Sequence, residues 1–179
     1  GIYSIPNIFM VLIGGLIIDR IGTKKAALIF SALCMLGAFF TAVRGDLVWM
    51  ATGRLIFGLG AESLIVAITT ILARWFKGKE LSFAFGLNLT IARLGSFSAL
   101  NSATWGKAFY STWQSPLWIA FIFALVSVLA VIIYFATDTL AGKKYKLAPE
   151  GSQDKIVLKD VLKFNKSFWF ITMLCVTFY

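Results

Sequence analysis

Three charged side chains, Arg54, Glu62 and Arg93, lie inside long apolar segments of this chain. If those segments cross a membrane, each buried charge costs about 2.5–3.5 kcal/mol even on lenient insertion scales. Each side chain should therefore face the interior of a helical bundle, with a partner or a water-filled cavity beside it. An anion and a cation in one such cavity could bind a small solute that carries both charges.

The composition is that of a membrane protein. Of the 179 residues, 59% are hydrophobic and 14% are charged, and the mean hydropathy is +0.85, whereas a soluble domain has about 25% charged residues. A helix needs about 20 apolar residues to cross a bilayer, and the apolar segments repeatedly reach that length. The sequence therefore predicts an all-α integral membrane protein in contact with the lipid bilayer.

Five spans are predicted, and a sixth apolar run begins near Ser167 and continues to Tyr179. Between them, residues 137–166 are polar and rich in Lys, which predicts a loop. Its segment Ile156–Phe164 has the pattern of a short amphipathic helix on the membrane surface. We interpret the sequence as an interior piece of a longer protein. The predicted spans run from Gly1 to Ile18, Ala26 to Val43, Leu47 to Phe76, Leu81 to Trp105 and Pro116 to Ala136.

The basic residues predict the orientation. They concentrate in the segments 19–25, 74–80 and 137–166, which alternate with loops whose only basic residues are Arg44 and Lys107. Cytoplasmic loops are enriched in Lys and Arg, so we predict that these three segments are cytoplasmic. Basic residues spread over the gaps between spans also argue against nucleic acid as a partner. With no His, and with two Cys that lack metal-like spacing, neither a metal site nor a cofactor is predicted.

The charges in the third and fourth spans lie at similar depth. At about 1.5 Å per residue, Glu62 and Arg93 lie within a few ångströms of the membrane midplane, and Arg54 lies about 10 Å nearer the outer face. Thr90 and Ser96 share roughly one side of the helix with Arg93, which predicts a polar stripe along a wet passage. A simpler alternative stays open, in which Glu62 and Arg93 pair only to make the helix contact tolerable.

Residues 15–25, GLIIDRIGTKK, resemble the signature between the second and third helices of the major facilitator superfamily. The pattern departs at Ile17, Ile18 and Thr23. In that family the loop makes charge contacts that lock the outward-facing state, so the resemblance implies a gating role for the matching residues. These are Gly15, Asp19, Arg20, Gly22 and Lys24.

A second segment, RLIFGLGAE at 54–62, resembles the fourth-helix motif of the same superfamily and adds Arg54 to the gating candidates. The resemblance implies the superfamily fold, with the spans numbered as helices two to seven. Residues 1–136 would then belong to the N-terminal bundle, without its first helix. Residues 137–166 would form the cytoplasmic loop between the two bundles, and residues 167–179 would begin the seventh helix.

Four short segments are similar to the branch of the superfamily that contains a lysosomal dipeptide transporter. They are YSIPN at 3–7, GAESL at 60–64, WFKGKEL at 75–81 and ARLGS at 92–96. In that branch a helix-four Glu and a helix-five Arg contact the two ends of the peptide, which implies substrate-binding roles for Glu62 and Arg93. Thr90 and Ser96 join them as candidates from the polar stripe.

These features predict a secondary transporter that moves small zwitterionic solutes, with dipeptides or amino-acid-like compounds as substrate, by alternating access. One alternative is a proton-coupled organic-anion symporter, and another is a receptor-like member or assembly subunit that transports nothing. We also consider an accessory membrane subunit as a partner. An enzyme is least supported, because no nucleophile with a base and no metal constellation is visible. The resemblance implies the lysosomal membrane in an animal, and the plasma or inner membrane in a bacterium.

Overall fold

The computed structural model describes residues 4–76, 78–142, 169–170 and 173–174, and the architecture is helical. Four of the described helices, α2 to α5, are long and apolar enough to cross a membrane. A helix satisfies every backbone hydrogen bond within its own segment, as a span must in hydrocarbon. The elements are α1 (Ser4–Ile21), α2 (Thr23–Val43), α3 (Leu47–Trp75), α4 (Lys79–Trp105), a 3₁₀ helix (Lys107–Tyr110) and α5 (Ser115–Gly142).

The helices follow the predicted spans closely, and the largest difference is at the end of α5. This helix continues past Ala136 to Gly142 because Asp138, which the sequence pattern placed in a polar loop, is buried among partners from other helices. The predicted surface helix Ile156–Phe164 lies outside the described residues.

Helix α2 is the centre of the described bundle. It packs most extensively on α3 and also contacts α5, while α1 packs mainly on α3. Its buried side chains recur every three or four residues, which places them on one side of the helix. Most are small, so that neighbouring helices can approach closely. They are Thr23, Ala26, Ala27, Phe30, Ser31, Cys34, Gly37, Ala38, Thr41 and Ala42.

At the interface between α2 and α3, the main chains of the two helices lie close together. A Cβ added to Gly60 of α3 would lie 2.7 Å from the carbonyl oxygen of Phe30 and 2.8 Å from the amide nitrogen of Cys34. A Cβ at Gly37 of α2 would collide with the amide nitrogen of Phe57. Because the obstacles are main-chain atoms, these positions have no room for any side chain.

Helix α4, in contrast, is loosely packed against the other described helices. Within the described residues it contacts α3 only sparsely, and Ala84 is its one buried residue. A Cβ at Gly86 or Gly95 would meet nothing within 4 Å. The two helices therefore do not pack along their length, although only residues 76–78 separate them.

Candidate functional site

Glu62 lies next to the midpoint of α3 and is partly buried. In the chain it lies between the buried small residues Gly60, which packs against α2, and Ser63, which packs against α1. Arg54 lies on the same helix toward its N-terminal end and is exposed. The observed bounds of α3 thus place Glu62 near the middle of the helix and Arg54 nearer the end that is predicted to face outward.

Arg93 lies next to the midpoint of α4, and its side chain is exposed on the described bundle. Thr90 and Ser96 are exposed as well. Their hydroxyl groups donate to backbone carbonyls of their own helix, Thr90 to Gly86 at 2.9 Å and Ser96 to Ala92 at 3.2 Å. Such internal bonds keep a hydroxyl satisfied in an apolar environment, while its oxygen can still accept a bond from a ligand.

The larger of two described cavities, about 990 Å³, lies between α4 and α5. Gly95, Ser98 and Ser102 line it on α4, and Ile119 and Phe123 line it on α5. A smaller apolar cavity of about 310 Å³ lies between the ends of α3 and α5. Neither cavity is lined by Glu62 or Arg93, so the predicted passage between the polar stripes of α3 and α4 stays a prediction.

The signature segment forms the sharp turn between α1 and α2. Gly22 separates the two helices and has a φ of 84°, a left-handed conformation that favours glycine. Asp19 and Arg20, in the last turn of α1, are exposed. Gly15 lies further back on α1 and has open space where a Cβ would point. The neighbouring residue Gly14 is the one that packs tightly, since a Cβ added there would lie 2.8 Å from the hydroxyl oxygen of Ser63.

Lys24, the last matching residue of the signature, contacts a residue that sequence reasoning missed. Its Nζ lies 2.6 Å from Oδ2 of Asp138 on α5, and an Nη1 of Arg74 on α3 lies 3.6 Å from the same oxygen. The other oxygen, Oδ1, accepts hydrogen bonds from Trp75 Nε1 at 2.9 Å and from the Tyr134 hydroxyl at 3.2 Å. Asp138 is only 1% exposed. We refer to these five residues as the Asp138 cluster.

The sequence held one signal for this cluster. Asp138 closes a long apolar run, and two other helix ends with basic residues, at Lys24 and Arg74, are predicted to lie on the same side of the membrane. The structure brings all three helix ends together, as the alternation of loops requires. A lone Asp beside a Lys-rich segment nevertheless has the sequence pattern of the start of a loop.

Possible metal ligands do not gather in this part of the molecule. Among residues 4–76 and 78–142, no three side chains of His, Cys, Asp or Glu come together in a way that could hold an ion. Cys34 is buried against α3, where its Sγ lies 4.0 Å from the carbonyl oxygen of Phe57. Its position is that of a small packing residue.

Comparison with known proteins gives a consistent result. The chain is 35% identical to the lysosomal dipeptide transporter MFSD1 of Danio rerio and 34% identical to that of Homo sapiens, in each case over 99% of this chain and 41% of the relative. It is 28% identical to the nitrate/nitrite transporter NrtP of Nostoc punctiforme, over 88% of this chain and 31% of that protein. No solved structure matches it.

The chain spans about two-fifths of the length of the MFSD1 relatives. The family model of the Major Facilitator Superfamily matches residues 1–179. The helical architecture, with four membrane-length helices among the described residues, agrees with that match. The protein is thus a multi-pass integral membrane protein, and its chain belongs to the Major Facilitator Superfamily.

Proposed function

We propose that the full-length protein is a secondary transporter of small zwitterionic solutes, with dipeptides as the leading substrate class, working by alternating access. The observation that carries this proposal is the placement of two opposite charges, Glu62 and Arg93, at the midpoints of two membrane-length helices. Ionisable residues inside membrane spans mark solute and ion pathways in transporters, whose binding sites lie near the bilayer midplane. The similarity to dipeptide transporters over nearly the whole chain supports the same substrate class.

The two side chains suit the two ends of a dipeptide. The planar guanidinium of Arg93 can bind both oxygens of a carboxylate, and the carboxylate of Glu62 can accept hydrogen bonds from an ammonium group. The hydroxyls of Thr90 and Ser96 stand on the same helix as Arg93 and would add polar contacts. In this proposal the residues that match the two family motifs serve gating, as the resemblance implies. They are Gly15, Asp19, Arg20, Gly22, Lys24 and Arg54.

An uptake experiment with chemically blocked substrates tests the assignment. Full-length protein in vesicles is given a labelled dipeptide, its N-acetylated form and its C-amidated form. We expect Arg93→Ala to reduce uptake of the free dipeptide about tenfold or more, because a hydrogen bond to a charged group contributes about 1.5–3 kcal/mol. Glu62→Gln should reduce uptake of the free dipeptide while leaving any residual uptake of the N-acetylated form unchanged.

Lys107→Gln is the matched control, since Lys107 is exposed in the 3₁₀ helix outside the spans and its loss removes one positive charge. Uptake should be unaffected in that variant. Unchanged uptake in both Arg93→Ala and Glu62→Gln would contradict a central solute site. Binding of the dipeptide without counterflow would favour the receptor-like alternative.

A second candidate is proton-coupled transport of an anion. The similarity to a nitrate/nitrite transporter and the exposed cation on α4 favour it. Here Arg93 would bind the anion and Glu62 would carry the proton. The N-acetylated dipeptide, which carries a net negative charge, would then be taken up better than the zwitterionic free dipeptide. An inward proton gradient would accelerate uptake in the parent but not in Glu62→Gln.

A further inference from the structure

The Asp138 carboxylate is shared between two kinds of partner. Oδ2 faces the two cations, Lys24 and Arg74, whereas Oδ1 accepts from the neutral donors Trp75 and Tyr134. Lys24 and Arg74 are themselves largely covered, with side chains 19% and 11% exposed. A buried carboxylate that lost one of these partners would leave a charge unsatisfied, so the arrangement strongly favours one geometry.

Lys24 connects the Asp138 cluster to the turn at Gly22. Lys24 is the second residue of α2, which begins directly after Gly22. The turn is continuous with both helices, since the Gly22 amide donates to the Ile18 carbonyl at 2.9 Å and the Gly22 carbonyl accepts from the Ala26 amide at 3.1 Å. A contact that holds Lys24 in place therefore also holds the turn, and with it the last turn of α1.

We propose that Asp138 is a positioning residue, which anchors the start of α2 to the ends of α3 and α5 and so fixes how the Gly22 turn presents Asp19 and Arg20. The signature then has two parts with different tasks. Gly22 and Lys24 form the anchored part, held within this bundle. Asp19 and Arg20 form the presented part, which stays exposed for contacts with the rest of the protein. This inference does not depend on the proposed substrate.

The placement of the turn can be measured with a cysteine reporter at Ile21, the last residue of α1, which is 37% exposed. The full-length protein carrying Ile21→Cys is labelled with a polar maleimide in permeabilised membrane vesicles. The same protein without the reporter gives the background from its own cysteines. The reporter is then combined with Asp138→Asn, Asp138→Glu and Lys24→Gln, and the thermal stability of each variant is recorded alongside.

Asp46→Asn is the matched control, because Asp46 is exposed at the start of α3 and makes no capping bond with its side chain. We expect Asp138→Asn and Lys24→Gln to raise the labelling rate about fivefold, as loss of roughly one partner contact would do. Asp138→Glu keeps the charge and should label at nearly the parent rate. The Asp46→Asn control should match the parent.

Equal labelling rates in the parent, Asp138→Asn and Lys24→Gln would overturn the proposal. So would a fall in thermal stability without a change in labelling, since that result describes a residue that stabilises the bundle without placing the turn. An equal rise in Asp46→Asn would also overturn it. If Asp138→Asn does not accumulate as folded protein, Lys24→Gln decides the question, because Asp138 then keeps its Arg74, Trp75 and Tyr134 contacts.

Discussion

Glycine residues have different surroundings in the α2–α3 pair and in helix α4. In the pair, Gly37 and Gly60 allow main chains to touch, and no added side chain would fit. On α4, Gly86 and Gly95 face open space, and nearly the whole helix is exposed. A glycine in an apolar helix thus marks a close contact only when the neighbouring helix is present. One region is closed within the described residues, and the other is available to a solute or to further helices.

The difference predicts where substitutions destabilise the protein most. Gly37→Ala should cost about 3 kcal/mol or more, because the new Cβ would collide with the backbone of α3 and the main chains would have to separate. Thermal unfolding of the purified full-length protein measures this loss. The matched variant is Gly86→Ala, where the Cβ has room. A loss at Gly86 as large as that at Gly37 would contradict the comparison.

Substitutions at the interface between α1 and α3 should destabilise the protein less strongly. Ser63 is fully buried, it donates to the Met10 carbonyl at 3.4 Å, and it lies against Gly14. Replacing it with Leu adds volume to a closed contact, so Ser63→Leu should cost about 2 kcal/mol. Ser63→Ala removes only a long hydrogen bond and is the control, expected within about 1 kcal/mol of the parent. Equal stability of the two variants would show that α1 and α3 can move apart without loss of stability.

The smallest effect on stability is expected on α4. Thr90→Val keeps the shape of the side chain and removes a hydroxyl whose hydrogen bond, within the described part of the chain, is to its own helix. Stability should therefore change by about 0.5 kcal/mol or less. Dipeptide uptake should nevertheless fall if Thr90 contacts the solute. Measuring both quantities in Thr90→Val and Ser96→Ala separates a binding role from a packing role. A stability loss comparable to that of Ser63→Leu would place Thr90 in a packed interface instead.

Most of the fold could be predicted from the sequence because the thickness of a bilayer sets the length of an apolar helix. The bounds of α2, α3 and α4 follow from that rule and from the charged or glycine residues between them. The depth of Glu62 and Arg93 follows from the same bounds. Their mutual geometry does not, because it depends on how α3 and α4 cross, and the position of a residue along its own helix does not determine that crossing.

Asp138 shows the other limit of sequence reasoning. Its partners Lys24 and Arg74 are distant in the chain, and each appears as an ordinary basic residue at a helix end. Only the packing of α2 between α3 and α5 reveals that the three charges form one cluster. The signature loop can be recognised from its amino-acid sequence, whereas Asp138, which we propose to anchor it, lies outside the signature.

The sparse packing of α4 has a consequence for how the protein is made. Joined by only three residues, α2 and α3 can associate as a hairpin soon after both have left the ribosome. Of the four membrane-length helices that the structure describes, α4 is the least apolar, and it carries Arg93 at its centre. Its insertion into the bilayer with that charge costs about 2.5–3.5 kcal/mol. We therefore expect α4 to insert less readily than α2, α3 or α5.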